Sequence, residues 1–217
     1  MMRRSRKNRK GNTLLEFGLV AIFLVPLFLG TVNLGMNLGR SVQVSQVARD
    51  AGHLYVRQMD FSLSGSKDLI VRMSTGLGMT TNGGNGTVIL SRVLKIGPAE
   101  CQAGTGSTAC GNLGQVVHTQ RYVIGNSSLK SSEFGTPSSA IILTTAVPSQ
   151  GLKAGDIRPS DYTTNASAVA TGFATVLPGM VDGETAYVAE AYFSSPDWSL
   201  QQNYTSTAPG VYARSIY

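Results

Sequence analysis

The sequence predicts an α+β protein in which a long N-terminal transmembrane and stalk helix precedes a β-rich domain with a mainly antiparallel sheet. Residues 17–39 contain no Asp, Glu, Lys or Arg, and an amphipathic segment follows them. The rest of the chain is rich in Gly, Ser and Thr, with short apolar runs between turn signals. We therefore expect a basic leader at residues 1–11, the transmembrane and stalk helix at residues 12–60 and an α+β domain at residues 61–217.

The apolar run from Phe17 to Gly39 is long enough to cross a bilayer. At about 1.5 Å per residue its helix is roughly 35 Å long, whereas the hydrocarbon core is about 30 Å thick. The run is too long for an ordinary signal-peptide core, and no Ala-x-Ala-like site follows it before Arg40. Pro26 is expected to bend the helix because it removes one backbone hydrogen bond. The alternative is a buried helix of a soluble core.

The charges on either side of this run predict its orientation. Six basic residues precede it, whereas only Arg40 and then Arg49, beside Asp50, follow it closely. The positive-inside rule places the N-terminus in the cytoplasm and residues 61–217 outside it. Subtracting the six from the 18 basic residues leaves 12, which equals the 12 acidic residues. Membrane lipid is therefore an expected partner, and nucleic acid is not. The six are Arg3, Arg4, Arg6, Lys7, Arg9 and Lys10.

Glu16 is an acidic residue at the start of the apolar segment. A carboxylate in a membrane helix costs on the order of 2.5 to 3.5 kcal/mol at the bilayer centre, less near the interface, and it usually pairs with a cation. Cleavage after Gly11 would give Asn12 a new α-amino group four residues before Glu16. The same group of a neighbouring copy could then pair with the acid inside an assembly. The alternative is a solvated acid at headgroup level.

The stretch KGNTLLEF, residues 10–17, resembles the processing site of type IV pilin-like proteins. It combines a basic leader, a glycine at the cut, a glutamate as the fifth residue of the mature chain and an apolar helix. The resemblance implies that a prepilin peptidase cleaves between Gly11 and Asn12, and that Glu16 takes part in subunit registration during assembly. Asn12 stands where the best-known pilins have Phe, so methylation of the new N-terminus is not implied.

The following segment, residues 34–58, resembles the TadE-like proteins of Tad (tight adherence) pilus systems. In these proteins the span leads into a polar helix with an AAR-x-GA-like core. Here the core reads VARDAG from Val47 to Gly52, with the final Gly and Ala exchanged. The resemblance implies a minor pilin or pseudopilin in the inner membrane of a bacterium, incorporated in a pilus or acting in its assembly. Its implied partners are a prepilin peptidase, pilin subunits and Tad-type assembly proteins.

Two alternatives to a TadE-like minor pilin stay open. The first is a pseudopilin of a type II secretion or type IVa system, whose leader is similar but whose stalk usually lacks the segment seen here. The second is a signal-anchored extracytoplasmic binding or adhesion protein that is neither cleaved nor polymerised. If the second alternative holds, substitutions at Gly11 and Glu16 leave the protein's processing and localisation unchanged.

The stalk helix is expected to run from about Thr13 to Met59. An apolar stripe at helical spacing predicts that its second half docks on the outer domain. Gly52 weakens a helix by about 1 kcal/mol relative to Ala. His53 lies on the polar side and is expected to be solvated. The stripe consists of Val44, Val47, Ala48, Ala51, Leu54 and Tyr55.

Turn signals and β-branched residues divide the outer domain into elements. Residues 66–79 predict a short helix capped by Ser66, and the glycines of residues 82–86 break the chain. Residues 166–177 are ambiguous between a helix and a strand, and we favour a helix. Strands are predicted at residues 87–96, 115–124, 140–146, 185–193 and 210–217, the first two as arms of a hairpin and the fourth as a central strand.

Cys101 and Cys110 are the only cysteines, and both lie in the connection between the hairpin arms. In an oxidising compartment we expect a disulfide that closes a small loop and contributes about 2 to 3 kcal/mol in the chain-entropy model. The alternative is a pair of free thiols. A metal site is not expected, because no histidine pair accompanies the two cysteines.

The sequence contains no recognisable catalytic pattern. G-x-S-x-G, H-E-x-x-H, Walker A and Rossmann motifs are all missing. The two histidines are His53 and His118, and His118 lies inside a predicted strand, where we expect a structural role. We therefore predict no catalytic residues, no metal and no cofactor, and a structural function in assembly.

Overall fold

The computed structural model describes the backbone of residues 10–194 and 210–217, and the side chains of these residues from Leu15 onward. The chain divides between Gly39 and Arg40 into two compact units. A single helix, α1, spans Lys10–Val56 and contributes residues to both. The fold class predicted from the sequence is confirmed, because a long apolar N-terminal helix is followed by antiparallel sheets and short helices.

The second unit contains the remaining elements. The helices after α1 are α2 (Ser64–Met73), α3 (Pro98–Thr105), α4 (Pro159–Thr164) and α5 (Phe173–Val176), with 3₁₀ turns at Pro148–Gln150 and Ala166–Ala168. The strands are β1 (Met79–Thr80), β2 (Gly83–Gly84), β3 (Gly86–Lys95), β4 (Val116–Gly125), β5 (Thr185–Ser194) and β6 (Gly210–Ile216).

The main sheet has four antiparallel strands in the order β4-β3-β5-β6. Val88 of β3 pairs with Ile124 of β4 on one side and with Ala191 of β5 on the other. The predicted hairpin of residues 87–96 and 115–124, the central strand and the last strand are therefore confirmed within one or two residues. Strands β1 and β2 form a separate two-residue hairpin at the glycine-rich break.

Alternate residues of the sheet belong to different hydrophobic clusters, as the period of a strand requires. Ala189 and Ala191 lie in a cluster with the second half of α1 and with Ile70 of α2. Val188 lies in a second cluster with Phe134 and Phe173, which come from the segments that cover the opposite face. Both faces of the central strands are thus buried.

The predicted apolar stripe of α1 is confirmed within the second unit. Its members Val44, Val47, Ala48, Ala51 and Tyr55 are at most 3% exposed, and Leu54 is half-buried against them. The alanines of the helix share one cluster with the alanines of β5, and small side chains on both elements allow their backbones to pack closely.

Close packing explains why position 52 is a glycine, which the sequence alone did not show. The ring of Tyr217 covers it, and a Cβ at position 52 would lie 2.4 Å from the ring atom Cε2. The Tyr217 hydroxyl also donates a hydrogen bond to the carbonyl oxygen of Arg49 at 2.9 Å. His53 is exposed, as predicted, but its ring centroid lies 4.8 Å from that of Tyr217. The glycine of the VARDAG core therefore makes room for the residue that follows β6 to pack against α1.

Gln58, two residues after the end of α1, has a left-handed conformation with φ +61°. Its N–H bonds to the carbonyl of Tyr55 at 2.9 Å, and the N–H of Met59 bonds to the carbonyl of Leu54 at 3.1 Å. These two bonds form a Schellman motif, in which glycine is the usual residue at the left-handed position.

Replacing Gln58 by glycine is expected to raise the free energy of unfolding by about 0.5 to 1 kcal/mol, because it removes the steric cost of the left-handed conformation. Urea denaturation of the full chain in detergent measures this change. The matched control is Gln46→Gly at an exposed position inside the same helix, which is expected to lower the free energy by about 1 kcal/mol. Equal losses in both variants would contradict the capping role of Gln58.

Two predicted details of the outer domain were wrong. Helix α2 begins at Ser64 with Leu63 at its N-cap, so Ser66 lies inside it and caps nothing, and the helix ends at Met73 rather than at residue 79. Residues 140–146 form no strand, and only Ile142 makes an isolated bridge, to Ile157. The outer edge of β4 is occupied there, because Gly155 and residue 157 already bond to its backbone.

The ambiguous segment 166–177 is neither one helix nor a strand. It forms the 3₁₀ turn Ala166–Ala168 and the four-residue helix α5, separated by Gly172 with φ +74°. The favoured helix is thus confirmed for Phe173–Val176 alone. An isolated bridge between Val169 and Val117 attaches the intervening residues to β4.

The predicted disulfide is confirmed between Cys101 and Cys110, whose Cα atoms are 5.4 Å apart. The connection that carries it is not a simple loop, since it contains helix α3. Glu100 begins that helix by accepting a hydrogen bond from the N–H of Gly97 at 2.9 Å, and Cys101 is fully buried. The disulfide therefore joins α3 to the turn that precedes β4.

Candidate functional site

The exposed apolar surface of α1 in the first unit is the candidate site. An 18-residue window of this helix has no buried residue, and within the described ranges α1 is the single helix long and apolar enough to cross a membrane. In water such a continuous surface would carry a large cost of apolar hydration. Residues that are more than 60% exposed are Leu15, Phe17, Leu19, Ile22, Phe23, Leu27, Phe28, Leu34 and Leu38.

Polar side chains in this segment bond within the helix. The Thr31 hydroxyl donates to the carbonyl oxygen of Phe28 at 2.8 Å, and the Asn37 amide donates to the Asn33 amide oxygen at 3.2 Å. The helix continues through Pro26 without interruption. Internal bonding of this kind suits a hydrocarbon environment, which offers polar groups no water.

The residues predicted for processing lie at the beginning of α1. Gly11 and Asn12 are in its first turn, and Glu16 follows at an exposed position of the same helix. The basic residues at positions 1–9 lie outside the described residues, and so do the side chains of residues 10–14. The structure thus places the proposed cut and the proposed registering acid on one helix, and their roles stay predictions.

In the second unit, a buried carboxylate lies on the face of the sheet opposite Ala189 and Ala191. Glu190 of β5 is 2% exposed and accepts hydrogen bonds from the N–H of Glu133 and the hydroxyl of Tyr212, at 2.9 and 2.8 Å. It also accepts one from the hydroxyl of Ser132. Burial raises the pKa of Tyr212, and the charge of Glu190 raises it further, so the phenol stays a donor.

Two side chains of β4 bond to the segment of residues 132–136, which covers Glu190. His118 lies with Nε2 at 3.1 Å from the carbonyl oxygen of Phe134, and Arg121 donates to the carbonyl oxygen of Gly135 at 3.1 Å. Burial is the main cause that lowers the pKa of His118 to about 4. The hydrogen bond to Phe134 acts to raise this pKa, and the charge of Arg121 acts to lower it. His118 is therefore neutral at pH 7, in agreement with the structural role predicted from its strand position.

A second polar chain links α1 to the loop around residue 156. Tyr55 donates to the amide oxygen of Gln120 at 2.8 Å, and the amide nitrogen of Gln120 donates to Asp156. The backbone N–H of Lys153 donates to the other carboxylate oxygen of Asp156 at 2.7 Å. Burial raises the pKa of Tyr55 well above its ordinary value, so its hydroxyl remains protonated.

The described residues contain no group of three or more His, Cys, Asp and Glu side chains placed to hold a metal ion. The strongest candidate for action on other molecules is therefore the apolar helix surface. Among the described residues, one exposed apolar helix near the N-terminus precedes a folded α+β unit, an order that is compatible with a membrane anchor.

Residues 11–53 match the model of a protein family described as TadE-like protein. This match confirms, for residues 11–53, the TadE-like resemblance seen in the sequence. The matched segment begins at the glycine of the proposed cut and ends within the buried stripe of α1. Comparison with curated proteins and with solved structures gave no significant match.

Proposed function

We propose that this chain is a minor pilin or pseudopilin, cleaved by a prepilin peptidase after Gly11, that acts in the assembly of a Tad-type pilus at the bacterial inner membrane. The observation that carries the proposal is the TadE-like match of residues 11–53. The exposed apolar surface of α1 supports it, because a subunit that moves from a bilayer into a helical assembly needs an apolar helix in both environments.

Cleavage supplies the physical step of this mechanism. The leader carries six positive charges that hold the N-terminus on the cytoplasmic side. Their removal lowers the cost of withdrawing the helix from the bilayer, and it creates an α-amino group at Asn12. In an apolar assembly this group attracts Glu16 of a neighbouring pilin more strongly than it would in water, so the pair favours one register. The remaining partners are Tad-type assembly proteins.

N-terminal sequencing of the membrane-extracted protein tests the proposed cut. In cells that contain the prepilin peptidase, the mature chain is expected to begin at Asn12. Gly11→Ala and deletion of the peptidase are each expected to leave the leader intact. Gly18→Ala is the matched control, since a Cβ there meets no atom within 4 Å and the substitution leaves the cleavage site unchanged. An intact leader in every sample would overturn the proposal and favour an uncleaved signal-anchored protein.

Glu16→Gln separates processing from assembly. The substitution keeps the shape of the side chain and removes its charge, so we expect normal cleavage but loss of the protein from the sheared pilus fraction. Immunoblotting of the membrane and pilus fractions measures the distribution. An unchanged distribution would contradict the proposed registering role of Glu16 while leaving the cleavage result untouched.

A further inference from the structure

A polar cleft of about 200 Å³ lies in the second unit, beside the C-terminal end of α1. Strands β3, β4 and β5 and the loop at residues 151–156 form its walls. All of its lining residues belong to the second unit and follow the family match, which ends at residue 53. The residues that carry its chemistry are Asp60, Arg92, Tyr122, Lys153, Asp156 and Tyr187.

Two cations supply hydrogen-bond donors to this cleft. The Arg92 side chain is 33% exposed, and it uses Nε to donate to the Thr119 hydroxyl at 2.9 Å. Its Nη2 lies 3.6 Å from Asp156, and its other N–H groups make no hydrogen bond to any described residue. The Lys153 ammonium lies 3.2 Å from Asp60, and its side chain is 47% exposed.

Two carboxylates supply acceptors beside these donors. Burial opposes ionisation of Asp60, but hydrogen bonds from Ser62 and the charge of Lys153 outweigh it and lower the pKa of Asp60. Asp156 is 5% exposed and accepts from Gln120. The two carboxylates balance the two cations, so the charged groups of the lining sum to zero.

Tyr122 adds a group whose bonding is incomplete. Its residue is 6% exposed, and its hydroxyl is buried without a hydrogen-bond partner among the described residues. Burial raises the pKa of this phenol, so it stays protonated. A buried hydroxyl without a partner has a desolvation cost that a polar occupant can relieve.

We propose that this cleft binds a neutral polyhydroxyl ligand the size of one monosaccharide unit. Each hydroxyl of a sugar both donates and accepts, which suits a lining in which each cationic donor lies beside a carboxylate acceptor. The balanced lining gives an ion of either sign no net attraction. The volume is below the range of pockets for drug-sized molecules, and the partly exposed Tyr187 in the lining is an aromatic residue that suits the C–H groups of a sugar.

Saturation-transfer difference NMR tests the proposal on the full chain in phospholipid nanodiscs, which avoid the sugar headgroups of maltoside detergents. The probes are D-glucose, D-galactose, N-acetyl-D-glucosamine and, as charged competitors, acetate and glycine. At least one sugar is expected to give a saturable signal. Arg92→Gln is expected to raise its Kd about tenfold or more, whereas Arg72→Gln, at an exposed position of α2, is expected to leave Kd unchanged.

Tyr122→Phe provides a second variant that keeps the fold, since it removes only a hydroxyl that bonds to no described residue. We expect it to weaken sugar binding several-fold with no loss of folding free energy, whereas Tyr162→Phe, outside the cleft, leaves binding unchanged. The proposal is overturned if the folded wild type gives no saturable signal with any sugar, if acetate or glycine displaces the sugar, or if both cleft variants bind as the wild type does. None of these readouts depends on cleavage at Gly11.

Discussion

Replacing Glu190 by alanine is expected to lower the free energy of unfolding by about 3 to 5 kcal/mol. The substitution removes the acceptor of three hydrogen bonds, a buried one from the Ser132 hydroxyl and partly buried ones from Glu133 and Tyr212. It also removes the charge that opposes the burial-induced fall in the pKa of Arg121. The cost is large because the buried Arg121 guanidinium loses its balancing charge and the buried Ser132 hydroxyl loses its acceptor.

Urea denaturation of the full chain in detergent, followed by circular dichroism, measures this loss. The control is Glu133→Ala in the same cluster, whose side chain is 39% exposed and pairs with Lys130 and Arg214. Exposed pairs contribute at most about 1 kcal/mol, so Glu133→Ala is expected to have a small effect. Similar losses in both variants would show that Glu190 does not hold the covering segment.

The elements with a periodic pattern of apolar residues were predictable from the sequence. Alternation and β-branched residues located β3, β4, β5 and β6, and helical spacing located the buried stripe of α1. These signals are local, because the backbone of each helix or strand fixes the spacing of the residues on its buried face. The disulfide was predictable for a similar reason, since Cys101 and Cys110 are close in sequence and share one connection.

The contacts between distant segments were not predictable in the same way. Alternation along β5 places Glu190 on the face opposite Ala189, and a charged residue there suggests a solvated surface. The structure covers that surface with residues 132–136, which have no regular secondary structure and therefore no periodic signal. The contact of Tyr217 with Gly52 has no local signal either, because the two positions are 165 apart in the sequence.

The polar cleft illustrates a related limit. Its charged residues come from a helix end, a strand and a loop, at positions 60, 92, 153 and 156. Only the last two are near each other in sequence, and none falls in a motif. A stretch such as residues 151–156 reads simply as a turn, and its chemistry appears only where it packs beside β4.

The stability of the second unit is expected to fall by about 3 kcal/mol through His118 as the pH drops from 6.5 to 4. Burial lowers the pKa of this histidine to about 4 in the folded state, against 6.5 for the ordinary group. Between these values the unfolded chain binds a proton that the folded chain does not, so stability rises with pH across this window. The contribution is fully present above pH 6.5 and is lost as the pH approaches 4.

Urea denaturation at pH values from 4 to 8 measures this dependence against His118→Gln, whose amide can still donate to the carbonyl of Phe134 but does not titrate. Carboxylates titrate in the same range in both proteins, so the difference between the two curves isolates the histidine. His53→Gln is the matched control for a histidine at an exposed position of α1. If the curves of the wild type and His118→Gln run parallel from pH 6.5 to 4, the neutral buried histidine is excluded. A convergence of about 3 kcal/mol instead means that protonating this side chain opposes folding, as expected for a buried histidine that holds the segment covering Glu190 from another strand of the same sheet.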